Sequence, residues 1–311
     1  MSASGSTQMT NRLQRFAVHH PYLFVLLLLA LFALAVVAFP FVMSSLGALP
    51  KLSAFGGEFF GALLALLLLS ALHWWRETGF ARGLTGQGVK LYIVPIVFIG
   101  LPSLMQGVAG SIHIAVFDIA LVALLIGFVE ETFFRGLIMR TLLPKGVLFS
   151  AIVSSVVFAL VHLVNLLGDV PPAYVIGQLL VTFGTGLFLA ALWLRTGSIW
   201  PLILLHAVRD FGGLVSIRVD PGSFSSINYP SAIIGGSILS VLLIAYALFL
   251  LRPSQLSRLR AYYTPHLFPH PVPVAESGSE PIASGSTPHE EASEAAALSS
   301  TPPERLHDQR L

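Results

Sequence analysis

Three short polar clusters interrupt long apolar stretches of this chain. The first is Glu130-Glu131-Thr132-Phe133-Phe134-Arg135, the second Phe158-Ala159-Leu160-Val161-His162, the third His206-Ala207-Val208-Arg209-Asp210. An ionisable side chain at mid-bilayer costs about 2.5–3.5 kcal/mol on insertion scales, so such residues are functional candidates by default. The spacing is helical. Glu131 and Arg135 are four apart and share a helix face, with Glu on the N-terminal side, the better order for an ion pair. His206 and Asp210 share a face in the same way. Glu130 lies about 100° round the helix from the Glu131–Arg135 pair and is left free of it.

Glutamate and histidine in this setting activate water. In one reading Glu130 is a general base that takes a proton from water. His162 orients that water, and His206 with Asp210 stabilises the oxyanion. In the other, His162, His206 and Glu130 bind one divalent metal such as zinc, and the metal activates the water. Both readings end in attack on an amide carbonyl. Of the two adjacent glutamates Glu130 is the better base, because Glu131 already has its charge neutralised by Arg135. The chain has no embedded Ser-His-Asp arrangement and no HExxH. It has no cysteine, which removes thiol nucleophiles and Cys-based metal sites.

The elements that must carry these clusters are membrane helices. The chain has 311 residues, 55% of them hydrophobic and only 10% charged, against roughly 25% charged in soluble domains. Mean hydropathy is +0.82. A net charge of +2 gives no case for nucleic acid as a partner. A spanning helix needs about 20 mostly apolar residues. Eight stretches qualify: Tyr22–Met43, Ala54–Trp75, Leu91–Met105, Ile112–Leu143, Val147–Leu167, Val175–Leu194, Ile199–Ile217 and Ser231–Leu251. The third is short and interrupted by Pro95 and Pro102. The fourth is too long for one crossing, and its part from about Phe133 is expected to run out into the interface. The first exceeds the roughly 7–15 apolar residues of a signal peptide's core and reads as a true span. The fold expected is all-α, a polytopic transmembrane bundle of about eight spans.

Eleven Lys and Arg residues fall in or beside the loops on the N-terminal side, and Lys51 and Arg218 on the other. The positive-inside rule then puts both termini in the cytoplasm. Trp74, Trp75 and Trp200 fall near span ends, as interfacial aromatics do. Counting about 1.5 Å per residue from cytoplasmic boundaries at Arg140, Ser150 and Ser198, Glu130, His162 and His206 lie roughly 15, 18 and 12 Å deep, nearly one level.

The organisation expected is a cytoplasmic tail 1–20, N-terminal spans 21–110, a catalytic core 111–217, a loop and last span 218–251, and a tail 252–311. That last tail holds nine of the twenty prolines and seven of the fifteen acids, so it is read as disordered. Its histidines His266, His270, His289 and His307 are too dispersed for a metal site. No organellar targeting pattern is read at the N-terminus, and the location expected is a cell membrane.

The three clusters together resemble the CPBP family of intramembrane proteases, which includes the CAAX prenyl endopeptidase Rce and bacterial Abi proteins. The family pattern EExxxR, FxxxH and HxxxN or HxxxD falls here on Glu130-Glu131 to Arg135, Phe158 to His162, and His206 to Asp210. The resemblance covers Asp118 to Gly213. It implies that Glu130 and His162 activate water, that His206 and Asp210 stabilise the oxyanion, and that Glu131 and Arg135 hold the site together. Asp210 stands where many members have Asn, and a carboxylate donates no hydrogen bond unless protonated. Asp210 is therefore a candidate for orienting His206 instead. The substrate implied is a membrane-associated protein or peptide. The family is described both as metalloproteases and as metal-free glutamate proteases.

Two other function classes fit membrane carboxylates and histidines: a proton- or ion-coupled carrier and a non-catalytic scaffold. Glu58 and Asp118 match no motif and read as structural or cavity-lining. Phe158 reads as a packing residue, and Arg209 as reaching a carboxylate or the interface.

Overall fold

The computed structural model describes residues 11–111, 116–167, 170–219 and 229–267, all helices and their connections, with no strand among them. Asp169, Asp220, His270, His289, His307 and the tail from 268 lie outside the described residues. We number the helices α1 (Arg12–His19), α2 (Pro21–Ser45), α3 (Pro50–Leu72), α4 (Gly86–Val108), α5 (Phe117–Glu131), α6 (Val147–Leu160), α7 (Pro172–Thr196), α8 (Trp200–Val219), α9 (Tyr229–Leu250) and α10 (Pro253–Leu267). Six segments among the described residues are long and apolar enough to cross a membrane: α2, Phe55–Leu72 of α3, α4, Val147–Leu167, α7, and Ile233–Leu250 of α9. The other two segments named above, on α5 and α8, carry the charged clusters.

The spans are apolar on every side, so hydropathy cannot say which face meets protein and which meets lipid. Packing decides it. One core joins α6–α10 around Trp193, Phe188, Ile203 and Leu250; a second joins α1–α3 to the α5 segment through Phe24, Phe32, Leu69, Phe133 and Phe134. Phe128 of α5 is partly buried against both.

Proline is accommodated by widened turns. Pro40 follows a π-helical stretch at Leu34–Ala38, and Pro102 follows another at Ile96–Gly100. A π-turn lets the carbonyl that proline leaves without a donor accept from the next N–H along the chain. The segment with Pro95 and Pro102 is thus one helix of 23 residues, Gly86–Val108, longer than the interrupted Leu91–Met105 read from the sequence.

Several expectations change. Phe133 onward does not run into the interface: Thr132–Met139 continues α5 as a π-helix whose eight residues are all buried. Residues 12–19 of the expected N-terminal tail form α1, capped by Asn11 Oδ1, which accepts from Gln14 N at 2.8 Å. Trp74, just beyond the end of the Phe55–Leu72 span, is buried, with the Arg140 guanidinium 4.9 Å from its ring centroid. The tail called disordered from 252 begins with α10, whose Tyr263 ring stacks on Trp193 at 5.9 Å and whose hydroxyl donates to Leu194 O at 3.3 Å. Composition hid α10 because its order comes from a tertiary contact, not from its own apolar content. Tyr263→Ala should cost roughly 3 kcal/mol, the scale for truncating a buried aromatic. Ending the chain at Leu267 should leave Tm unchanged, and thermal unfolding in detergent reads both.

Candidate active site

The site is built where α5 passes into its π-helical continuation. π-Turns recur at functional sites because the extra residue per turn redirects side chains. Here Glu131 closes the α-helical part and Arg135 lies in the π-helical part, both at 0% exposure. Arg135 Nη1 donates to Glu131 Oε1 at 2.9 Å. Its Nη2 donates to the Gly186 carbonyl of α7 at 3.3 Å, and its guanidinium carbon stands 4.3 Å from the Phe158 ring centroid. The last contact is a desolvated cation–π interaction, the stronger kind.

Helix α8 brings His206 to the same carboxylate. His206 Nδ1 donates to Glu131 Oε1 at 2.7 Å. Gly127, one turn before Glu131, makes this reach possible: a Cβ there would stand 2.8 Å from Ile203 O and 3.2 Å from Ala207 N. With hydrogen alone at that position the two backbones close up, as small residues permit between membrane helices. On the other side of the ring, His206 Nε2 lies 3.3 Å from Glu130 Oε2 and 3.3 Å from Asp210 Oδ2. Both nitrogens therefore face carboxylates, and both contacts are hydrogen bonds when each nitrogen carries a hydrogen. His206 is 3% exposed, Glu130 15% and Asp210 22%, against 0% for Glu131. The accessible side of His206 is the one with Glu130 and Asp210.

His162 is the second residue of the 3₁₀ stretch Val161–Leu167 that follows α6. Its Nδ1 lies 2.9 Å from Phe158 O. A carbonyl only accepts, so Nδ1 holds the hydrogen and Nε2 presents a lone pair. The buried Phe158 ring meets His162 edge-on at 5.4 Å and His206 at 5.9 Å. Phe158 thus packs against Arg135 and both histidines, in agreement with a packing role.

The sequence clusters are largely brought together. Glu130, Glu131, Arg135, His206 and Asp210 form one connected network. His162 joins it through Phe158 and through the nearby charges of Arg209, His206 and Asp210. Arg209 reaches Asp210 Oδ1 at 3.7 Å. Asp118 is exposed in the first turn of α5, where a carboxylate favours the helix dipole. Glu58, which matched no motif, lies close enough for Glu130, Asp210 and His206 to act on its charge. The Gly186 carbonyl and the Ser154 hydroxyl, which donates to Phe134 O at 2.8 Å beside the π-turn, had no signal in the sequence.

The metal set expected from the sequence is Glu130, His162 and His206. Among the described residues no three such side chains are placed to hold an ion. His206 donates Nδ1–H to Glu131, and its Nε2 lies 3.3 Å from Glu130 and from Asp210.

Residues 112–212 match the family model described as type II CAAX prenyl endopeptidase, Rce1-like. The central segment of this chain is Rce1-like. That match bears out the resemblance drawn from the three motifs. The Rce1-like region contains all six candidate site residues, while α2, α3, α4, α9 and α10 carry no part of it. The description of that model is of an endopeptidase, and the protein is a multi-pass membrane protein. No curated protein matches the chain.

Proposed function

We propose that this protein is an intramembrane endopeptidase that hydrolyses a peptide bond of a membrane-associated protein or peptide with water activated by side chains. It works in a cell membrane with both termini cytoplasmic, from a site in the cytoplasmic half. The observation that carries the reading is the two-sided hold on His206: Glu131 fixes one nitrogen, while the other points to the accessible side beside Glu130.

Glu130 takes the proton of the attacking water, and the Nε2 lone pair of His162 orients that water. His206 Nε2–H donates to the oxyanion that develops on the attacked carbonyl. Its present contacts at 3.3 Å are long enough for a substrate oxygen to displace. Asp210 accepts from His206 and orients it, since a carboxylate does not donate. Glu131 and Arg135 fix the ring and touch no substrate.

The test uses purified protein in lipid vesicles with a membrane-anchored peptide. Appearance of a new amino terminus, lost in Glu130→Gln, is the expected result. Solute or ion flux without cleavage of any anchored peptide would make the protein a carrier.

A further inference from the structure

Glu58 is an acidic side chain that the three motifs leave unused. It sits on α3, outside the Rce1-like segment. Gly61, one turn further on, faces Val129, the neighbour of Glu130: a Cβ at Gly61 would lie 3.1 Å from Val129 Cγ1. Residues three apart share a helix face, so Glu58 stands on the side of α3 that packs on α5. The charged groups that act on it are Glu130, Asp210 and His206, all of the site. Its Oε2 is buried with no hydrogen-bond partner among the described residues. A buried oxygen without a donor is costly, and a ligand N–H that reaches it would remove that cost.

Peptide hydrolysis at this site leaves one polar group unattended. Glu130 and His162 serve the water, and His206 with Asp210 serves the oxyanion. The scissile N–H has no acceptor among them. Glu131 also has an unpartnered oxygen, Oε2, but it is sealed at 0% exposure on the closed side of His206.

We propose that Glu58 is a further residue of this site, the carboxyl that accepts the N–H of the scissile amide and of the amine it becomes. The proposal rests on the protease reading. In the reaction a C–O bond forms to water, the C–N bond breaks with its electron pair left on nitrogen, and the proton taken by Glu130 passes to that nitrogen. Glu58 holds the nitrogen by a hydrogen bond and neither gains nor loses a proton.

A peptide and its depsipeptide, with an ester at the cleaved position, separate this role from a structural one, because the ester has no N–H. Glu58→Met should lower kcat/KM on the amide by about tenfold, the scale of one buried hydrogen bond. It should leave the ester within twofold and should not lower Tm. Glu58→Gln keeps an acceptor oxygen and should recover most of the amide rate. Equal losses on amide and ester, an unchanged amide rate, or a fall in Tm would each overturn the assignment. Glu130→Gln separates the two ideas: it should abolish cleavage of both substrates. If the unmodified protein cleaves neither, or Glu130→Gln cleaves both, the protease reading fails and the role of Glu58 fails with it.

Discussion

Glu130→Gln should insert and melt like the unmodified protein while losing at least ~100-fold in turnover, the lower range for removal of a general acid–base group. Stability is spared because Glu130 has a single weak contact, 3.3 Å to His206 Nε2, and Asp210 holds that nitrogen as well. Turnover is not spared because an amide takes no proton from water. Single-turnover cleavage of an anchored peptide, with Tm measured on the same sample, reads both halves. A folded, inactive Glu131→Gln beside an active Glu130→Gln would reverse the two roles. Exhaustive chelation should leave the rate unchanged, as activation of water by Glu130 and His162 alone requires. Reversible loss restored by one divalent ion would return the mechanism to the alternative of a bound metal.

The sequence made the helices legible and left their packing hidden. Length and hydropathy located the six long apolar helices among the described residues, because a membrane span must satisfy its backbone within itself. The burial of Phe133–Met139 was not legible: apolar residues face lipid and protein alike, so Phe133 in a core and Phe133 at an interface read the same. Tyr263 was missed for the converse reason. Its helix looks polar and proline-rich, and only the stack on Trp193, 70 residues away in sequence, shows that it is part of the fold. At the site, the local link was readable and the cross-helix one was not. The i,i+4 spacing announced Glu131–Arg135. Nothing in the spacing announced that Glu131 also accepts from His206, because that depends on Gly127 letting α8 approach.

Glu131→Gln should be the most destabilising single change at the site. Glu131 Oε1 accepts from Arg135 at 2.9 Å and from His206 at 2.7 Å, and all three side chains are shut away from solvent. Glutamine preserves the shape but leaves the Arg135 guanidinium buried without a counter-charge. Breaking a buried ion pair from one side costs about 3–5 kcal/mol, because the remaining charge is uncompensated. The Gly186 carbonyl and the Phe158 ring soften that loss and do not neutralise it. Arg135→Met in the Glu131→Gln background removes the stranded charge and should recover a large part of the stability, a coupling that a double-mutant cycle of Tm or denaturant unfolding measures. Activity should not return with it. His206 would remain without the carboxylate that fixes its Nδ1, so its other nitrogen would no longer be aimed at the accessible side. A double variant that recovers both stability and turnover would mean that Glu131 serves only to neutralise Arg135. One that recovers stability alone would show that the ion pair and the aim of His206 are separate functions of a single carboxylate.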